Sequence, residues 1–218
     1  MPDTRPLPLG AGRSAALLGI VLVAVNLRTA VAAISPIAAQ IGADIGLDSV
    51  GLGLIGALPP GAFALSGLFG PRLARRAGLE RLLLVSIAAM AVGHLLRGLA
   101  GSYWLLLSGS GVAFAGIGIA NILLPPLVKR YFPDRIALMT SLYVTIMAVS
   151  TTVPAVLAAP VADAAGWRVA LGMWSALAVA SLVPWVLVLV QERRAGAHAA
   201  APHGGAASPP HPLLAGRI

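Results

Sequence analysis

Between residues 15 and 190 the chain is apolar almost without interruption, and the breaks fall at intervals that suit a membrane. Six apolar stretches are legible, near 15–40, 50–70, 82–100, 103–127, 136–159 and 167–190, joined by short connections rich in charge or glycine. A helix needs about 20 residues to cross the hydrocarbon core of a bilayer. Inside that core every backbone N–H and C=O needs an internal partner, which a helix supplies within one segment. The pattern therefore predicts an all-α membrane protein with six transmembrane helices in one domain, 15–190. Composition agrees: 58% of residues are hydrophobic and 10% charged, where a soluble domain is about a quarter charged. Residues 1–14 read as a cytoplasmic N-terminus. Residues 191–218, rich in Ala, Gly, Pro and His, read as a flexible cytoplasmic linker, a central loop cut short.

The formal net charge is +8. In a soluble protein that would point to nucleic acid. Here the basic residues lie in clusters between apolar runs, which is how membrane topology is set, so the partner they imply is the lipid bilayer and not nucleic acid. With the N-terminus in the cytoplasm, the inside segments hold Arg5, Arg13, Arg72, Arg75, Arg76, Arg81, Lys129, Arg130, Arg135, Arg193 and Arg194. The outside connections hold at most Arg97 and Arg168. This bias predicts both termini cytoplasmic in a multi-pass protein of the plasma (inner) membrane. Ala30-Val31-Ala32 has the small residues of a signal-cleavage site, but its apolar region is too long and Arg28 interrupts it. A retained first helix is the reading.

Cysteine is absent, which excludes disulfides, thiolate metal sites and cysteine nucleophiles. His198, His203 and His211 are irregularly spaced in the tail, so no metal site and no cofactor is expected. No Asp or Glu lies inside any of the six stretches, which leaves His94 as the one obvious proton carrier. The fourth stretch carries small residues four apart, in the pairs Gly109 and Ala113, Gly111 and Ala115, Gly116 and Ala120, a spacing that lets helix backbones approach in lipid. Pro59, Pro60, Pro125, Pro126, Pro154 and Pro184 fall in or near the stretches and free carbonyls that need other partners.

Arg28 is the residue that most needs explaining. Its guanidinium keeps its charge, yet it follows Arg13 by about 22 Å of helix rise. On lipid that charge costs at least about 2.5–3.5 kcal/mol. It is therefore expected to face the bundle interior, on a side shared with the small residues Ala24, Ala32 and Ser35. With no embedded carboxylate to neutralise it, its planar fork suits a carboxylate or another small oxyanion. A tie to helix carbonyls and an outward snorkel are the alternatives. His94 and Arg97 share one face at the outer end of the third stretch, where they either snorkel to the headgroups or belong to an external gate. The loops GPRLARRAGLER (70–81) and LVKRYFPDRIAL (127–138) leave the membrane on one side. Arg72, Arg75 and Arg76 are expected to pair with Asp134 as a breakable latch.

Three segments carry a family resemblance: Asn26-Leu27-Arg28, the loop PRLARRAGLER and NILLPPLVKRYFPDR (121–135). Together they resemble the major facilitator superfamily, and within it the permeases of cyanate/2-nitroimidazole type. Where the superfamily loop usually has an Asp, this chain has Arg75. The fifth stretch also lacks the Gly-Pro-x-x-Gly-Gly pattern of the superfamily's drug/proton antiporters. The resemblance covers about residues 15–190 and implies one six-helix half of a twelve-helix bundle, itself a 3+3 inverted repeat. It also implies that the first, second, fourth and fifth helices line a central cavity. Arg28, Asn121 and Tyr143 would then be the polar contacts of a small-molecule solute, with Ser141 and Thr145 weaker candidates. The second half is missing from this chain or supplied by a partner.

The leading expectation is a secondary transporter of small solutes, organic or inorganic anions, working by alternating access. An alternative is a non-transporting fragment or a half-size unit that dimerises. A third is an intramembrane serine protease, suggested by Ser108-Gly109-Ser110-Gly111; its serine needs a histidine from another span, and the sixth stretch has none. No catalytic residue is therefore assigned and the protein is not read as an enzyme.

Overall fold

The computed structural model describes residues 12–200. Six helical stretches there are long and apolar enough to cross a membrane: Arg13–Ile45, Ser49–Ala77, Leu79–Gly98, Tyr103–Tyr131, Ile136–Ala165 and Trp167–Gln191. Three of these spans are broken. The first comprises α1 (Arg13–Ala32), a 3-10 turn (Ser35–Ile37) and α2 (Ala38–Ile45). Pro36, one residue into that turn, has no N–H for the carbonyl of Ala32, so α1 stops there. Spans two, three and four are the single helices α3 (Ser49–Ala77), α4 (Leu79–Gly98) and α5 (Tyr103–Tyr131). Asp48 caps α3, accepting from Gly51 N at 2.7 Å. The fifth span divides into α6 (Ile136–Ser150) and α7 (Thr152–Ala165) ahead of Pro154, and the sixth into α8 (Trp167–Gly172) and α9 (Trp174–Ala200). Pro59, Pro60, Pro125, Pro126 and Pro184 stay inside continuous helices.

The connections are shorter than the sequence suggests. The expected loop at 70–81 shrinks to Gly78, whose φ of +85° ends α3 and starts α4. Arg72, Arg75 and Arg76 therefore sit on the last turns of a helix, because Leu73, Ala74, Arg75 and Arg76 are good helix formers. Lys129 and Arg130 likewise ride the last turn of α5. α9 continues to Ala200, ten residues past Val190, through an Ala- and Arg-rich run that favours helix where a linker is expected. The rest of that linker, with His203 and His211, lies outside the described residues, as do Arg5 and most of the N-terminal segment.

α4 packs against α5, α8 and α9, while α1 packs against α5, α6 and α9. The α4–α5 seam is made by small residues. A Cβ on Gly109 would lie 2.9 Å from the Cβ of Leu96, and one on Gly93 or Gly116 would collide with the opposite backbone. Between helices in lipid this close packing, rather than expulsion of water, holds the seam. Gly111 and Ala115 do not join it; they face a groove beside α3. One core cluster runs through Ile20, Leu27, Ile87, Ile117, Leu124 and Trp185. A second, at the opposite end from the arginine-bearing turns, gathers Ile37, Ile41, Leu106, Leu171 and Trp174. Spans one and four are the most buried, spans two and five the least. α3, α6 and α7 thus leave much apolar surface outward, including Leu65, Leu68, Val149 and Val156.

Candidate functional site

The neighbours of Arg28 fix the direction it faces. Asn26, fully buried, donates from Nδ2 to Ser181 Oγ at 2.8 Å and to the Leu22 carbonyl at 3.0 Å, which ties α1 to α9. Thr29 is buried against α4, its Oγ1 lying 3.3 Å from His94 Nε2. The Ala30 carbonyl accepts from Arg97 Nη2 at 3.1 Å. Successive residues of a helix are about 100° apart, so Asn26 and Ala30 both lie almost opposite Arg28. The Arg28 side chain therefore leaves α1 on the side away from α4 and α9. It is half-buried there, and none of the described residues forms a hydrogen bond or ion pair with it.

Val31 and Ser35 share that side of the helix, one and two turns further on. They line a cavity of about 210 Å³ between α1 and α3, with Leu52, Ile55 and Pro59 of α3 opposite and Phe114 of α5 closing it. A larger apolar groove, about 380 Å³, follows α3 and α5 and shares Phe114. Asn121 is half-buried two turns from Phe114 on the same face of α5, and has no hydrogen bond to another described residue. By helix rise it lies about one turn nearer the arginine-bearing end than Arg28. Tyr143 is placed differently. It is buried on α6 within the larger core cluster. Arg28 lies one turn from Val31 and Asn121 two turns from Phe114, and both of those residues line the cavity between α1 and α3. Thr145 and Ser141 are exposed on α6.

His94 and Arg97 do not snorkel to headgroups. Both are wholly buried. The glycines around them bring backbones too close to leave an exit: a Cβ on Gly98 would lie 2.8 Å from the Cα of Gly172. The one hydrogen bond of the Arg97 guanidinium is to Ala30, and its Nε and Nη1, like His94 Nδ1, have no partner among the described residues.

Asp134 pairs with Arg13 at the start of α1 and with Arg135 at 3.5 Å, not with Arg72, Arg75 or Arg76. Desolvation pushes its carboxyl upward, but its own backbone amide and the two guanidiniums outweigh this and hold it below the usual carboxylate range. Beside it Arg130 meets Glu80 at 3.2 Å, and Tyr131 donates to Glu80 Oε1 at 3.0 Å. Arg13 also lies over the Phe132 ring, 5.1 Å from its centroid. Glu80 is a functional-looking residue to which the sequence assigned no role, and Asn26, noted there only as part of a family segment, ties α1 to α9. Glu80 is nearly buried in the first turn of α4, where a carboxylate also suits the helix dipole. At the opposite end Arg168 bridges Asp44 at 2.7 Å and the Ala100 carbonyl at 2.8 Å. Among the described residues no cluster of His, Cys, Asp and Glu is arranged to hold a metal ion.

Six membrane-length spans and small-residue seams make up a six-helix membrane bundle. The sequence model of the Major Facilitator Superfamily matches residues 17–216, and the chain belongs to that superfamily. It is a multi-pass membrane protein. Over 172 residues it is 32% identical to an uncharacterized transporter, YycB, of Bacillus subtilis (strain 168), covering 78% of this chain and 42% of that one. Over 178 residues it is 32% identical to the 2-nitroimidazole transporter of Escherichia coli (strain K12), covering 81% and 45%. Over 177 residues it is 29% identical to the cyanate transport protein CynX of the same organism, covering 81% and 46%. The chain spans less than half the length of these curated relatives.

Proposed function

We propose that the whole protein is a secondary transporter in the inner membrane that moves small anionic solutes by alternating access between this six-helix half and a second one. Arg28 carries the reading. It is a permanent charge in mid-span with no partner among the described residues, on the side away from α4 and α9 and one turn from Val31, which lines a cavity. Such a charge is a functional group by default, and its fork matches an oxyanion. Asn121 and Tyr143 are the further polar contacts of the solute. The second half covers the apolar faces of α3, α6 and α7, whether it is continuous with residues 191–218 or comes from a partner. Both termini are cytoplasmic. Arg13, Arg72, Arg75, Arg76, Arg81, Lys129, Arg130 and Arg135 gather at one end of the spans, while Arg168 stands at the other in a pair with Asp44. Arg72, Arg75 and Arg76 have no carboxylate partner among the described residues, so they are available to the second half when the cytoplasmic side closes. His94 and Arg97, between α1 and α4, stiffen the external side of the gate.

Counterflow in proteoliposomes holding the protein at its full natural length tests this. A labelled small anion should exchange with the parent, weakly with Arg28→Lys and not with Arg28→Ala, while all three reconstitute equally. Parent-rate exchange of an anion by Arg28→Ala would remove Arg28 from the site.

A further inference from the structure

Resting on the reading that the bundle opens at its two ends in turn, we infer that His94 is a proton-binding site, and that taking up a proton there opens the end opposite the arginine-bearing turns. The first observation is a buried polar layer. Along span one the first core cluster ends at Ala30 and the second begins at Ala33; along span three they meet between Ala91 and Ala100, and along span four between Ala113 and Leu106. At this junction sit Thr29, His94, Arg97 and Ser110, all wholly buried. His94 Nδ1, Arg97 Nε and Nη1 and Ser110 Oγ have no hydrogen-bond partner among the described residues. Unmet polar groups weaken the join between two apolar cores, and entering water would satisfy them. Spans one and six already break here, α1 at Ala32 and α8 at Gly172, so the cores can part without unwinding a helix.

The second observation is where a proton can go. Thr29 donates its hydroxyl proton to the Asn26 carbonyl at 2.9 Å. Towards His94 Nε2, 3.3 Å away, its oxygen can therefore only accept. The neutral imidazole thus carries its hydrogen on Nε2, which leaves the lone pair of Nδ1 to take a proton. The Leu171 carbonyl of α8 is then the acceptor beside the ring, and it has no charge to offset a second cation. Arg97, one turn on along the same face, is the charge beside it. α1 turns Arg28 away, α8 holds Arg168 in its pair with Asp44, and α9 has no charged residue between 174 and 190. α3 carries Asp48 at its cap and its arginines in the last turns, while α5 has Tyr103 in its first turn and Lys129, Arg130 and Tyr131 in its last. Two cations one turn apart in a dry layer repel far more strongly than in water. Opening the layer hydrates both, so the proton binds the opened arrangement better and draws the equilibrium towards it.

The test uses the full-length protein in detergent without solute, which keeps it independent of Arg28. Ser110→Cys, as the single cysteine, is alkylated from about pH 8 to about pH 5.5, and each rate is divided by that of Ser102→Cys, exposed at the same end, to correct for the thiol's own titration. The ratio should rise several-fold as the pH falls through about 6.5 and below. In His94→Gln, which keeps an N–H for Thr29 and cannot titrate, it should stay flat. Arg97→Met removes the repelling charge and should shrink the rise. A flat ratio in the parent, or an equal rise in His94→Gln, would overturn the inference; if His94→Gln does not fold, an undiminished rise in Arg97→Met would do so. Anion counterflow by the parent is measured separately. Its absence beside a pH-dependent ratio would overturn the anion reading and leave the proton site standing.

Discussion

Arg28 and Arg97 are two arginines in apolar surroundings with opposite settings. Arg28 is half-buried and has no partner among the described residues, whereas Arg97 is sealed and makes one hydrogen bond through Nη2. A buried, uncompensated charge is costly, and replacing it by an apolar chain of similar length is often neutral or stabilising by about 1–4 kcal/mol. Arg97→Met is therefore expected to keep or raise the thermal midpoint of the purified protein, and a drop of several degrees would show that the tie to Ala30 outweighs the buried charge. Asn26→Ala should act the other way. It removes the bond to Ser181 and leaves that hydroxyl without its partner on α1, a loss of about 1–2 kcal/mol, read as a lower midpoint. The sequence made Arg28 conspicuous because a charge in mid-span is rare. It could not show that Arg97 is sealed. That depends on Gly98 meeting Gly172, a contact between residues 74 positions apart.

At the scale of elements, the basic end is held by pairs between helices. Glu80 joins the start of α4 to the end of α5 through Arg130 and Tyr131, and Asp134 joins the α5–α6 turn to the start of α1 through Arg13. Glu80→Gln should destabilise the protein by about 1–3 kcal/mol, less than for a fully buried pair because Arg130 is 42% exposed; an unchanged midpoint in thermal unfolding would deny the network any weight. The Asp134 pair has a pH signature. Its folded-state carboxyl lies below the usual carboxylate range, so its contribution is complete above the unfolded-state value of about 3.9 and disappears as the pH falls through the lower folded value. Titrating stability from pH 7 downward, parent and Asp134→Asn should differ by a constant amount to about pH 4.5 and converge below. The sequence placed these charges at one end but paired Asp134 with Arg72, Arg75 and Arg76, where the structure pairs it with Arg13 and Arg135. An arginine near the close of one helix has several carboxylates within reach, and the partner is settled by the angles at which α1, α4 and α5 leave the membrane.

For the whole molecule, the number and order of spans were legible because bilayer thickness sets one length for every helix and Gly78, Ser102 and Gly166 punctuate between them. The boundaries were less so, since helix formers such as Leu73–Ala77 prolong a helix past the apolar run. Of the candidate site the sequence made Arg28 conspicuous, while the burial of Tyr143 in the core cluster depends on how α6 packs against α1, which residues far apart in the chain decide. Orientation has a direct check, made clean by a sequence without cysteine. An impermeant thiol reagent on intact cells should label Ser49→Cys, Ser102→Cys and Ala164→Cys but not Ala77→Cys, and labelling at position 77 would reverse the topology. The account as a whole rests on the claim that the side of α1 shared by Arg28 and Ser35 is the wall against which the solute binds. The most direct measurement is the alkylation rate of Ser35→Cys with and without a counterflowed anion, in the parent and in Arg28→Ala. The account predicts that the anion slows alkylation several-fold and that Arg28→Ala abolishes this protection; an alkylation rate that no transported anion changes would contradict it.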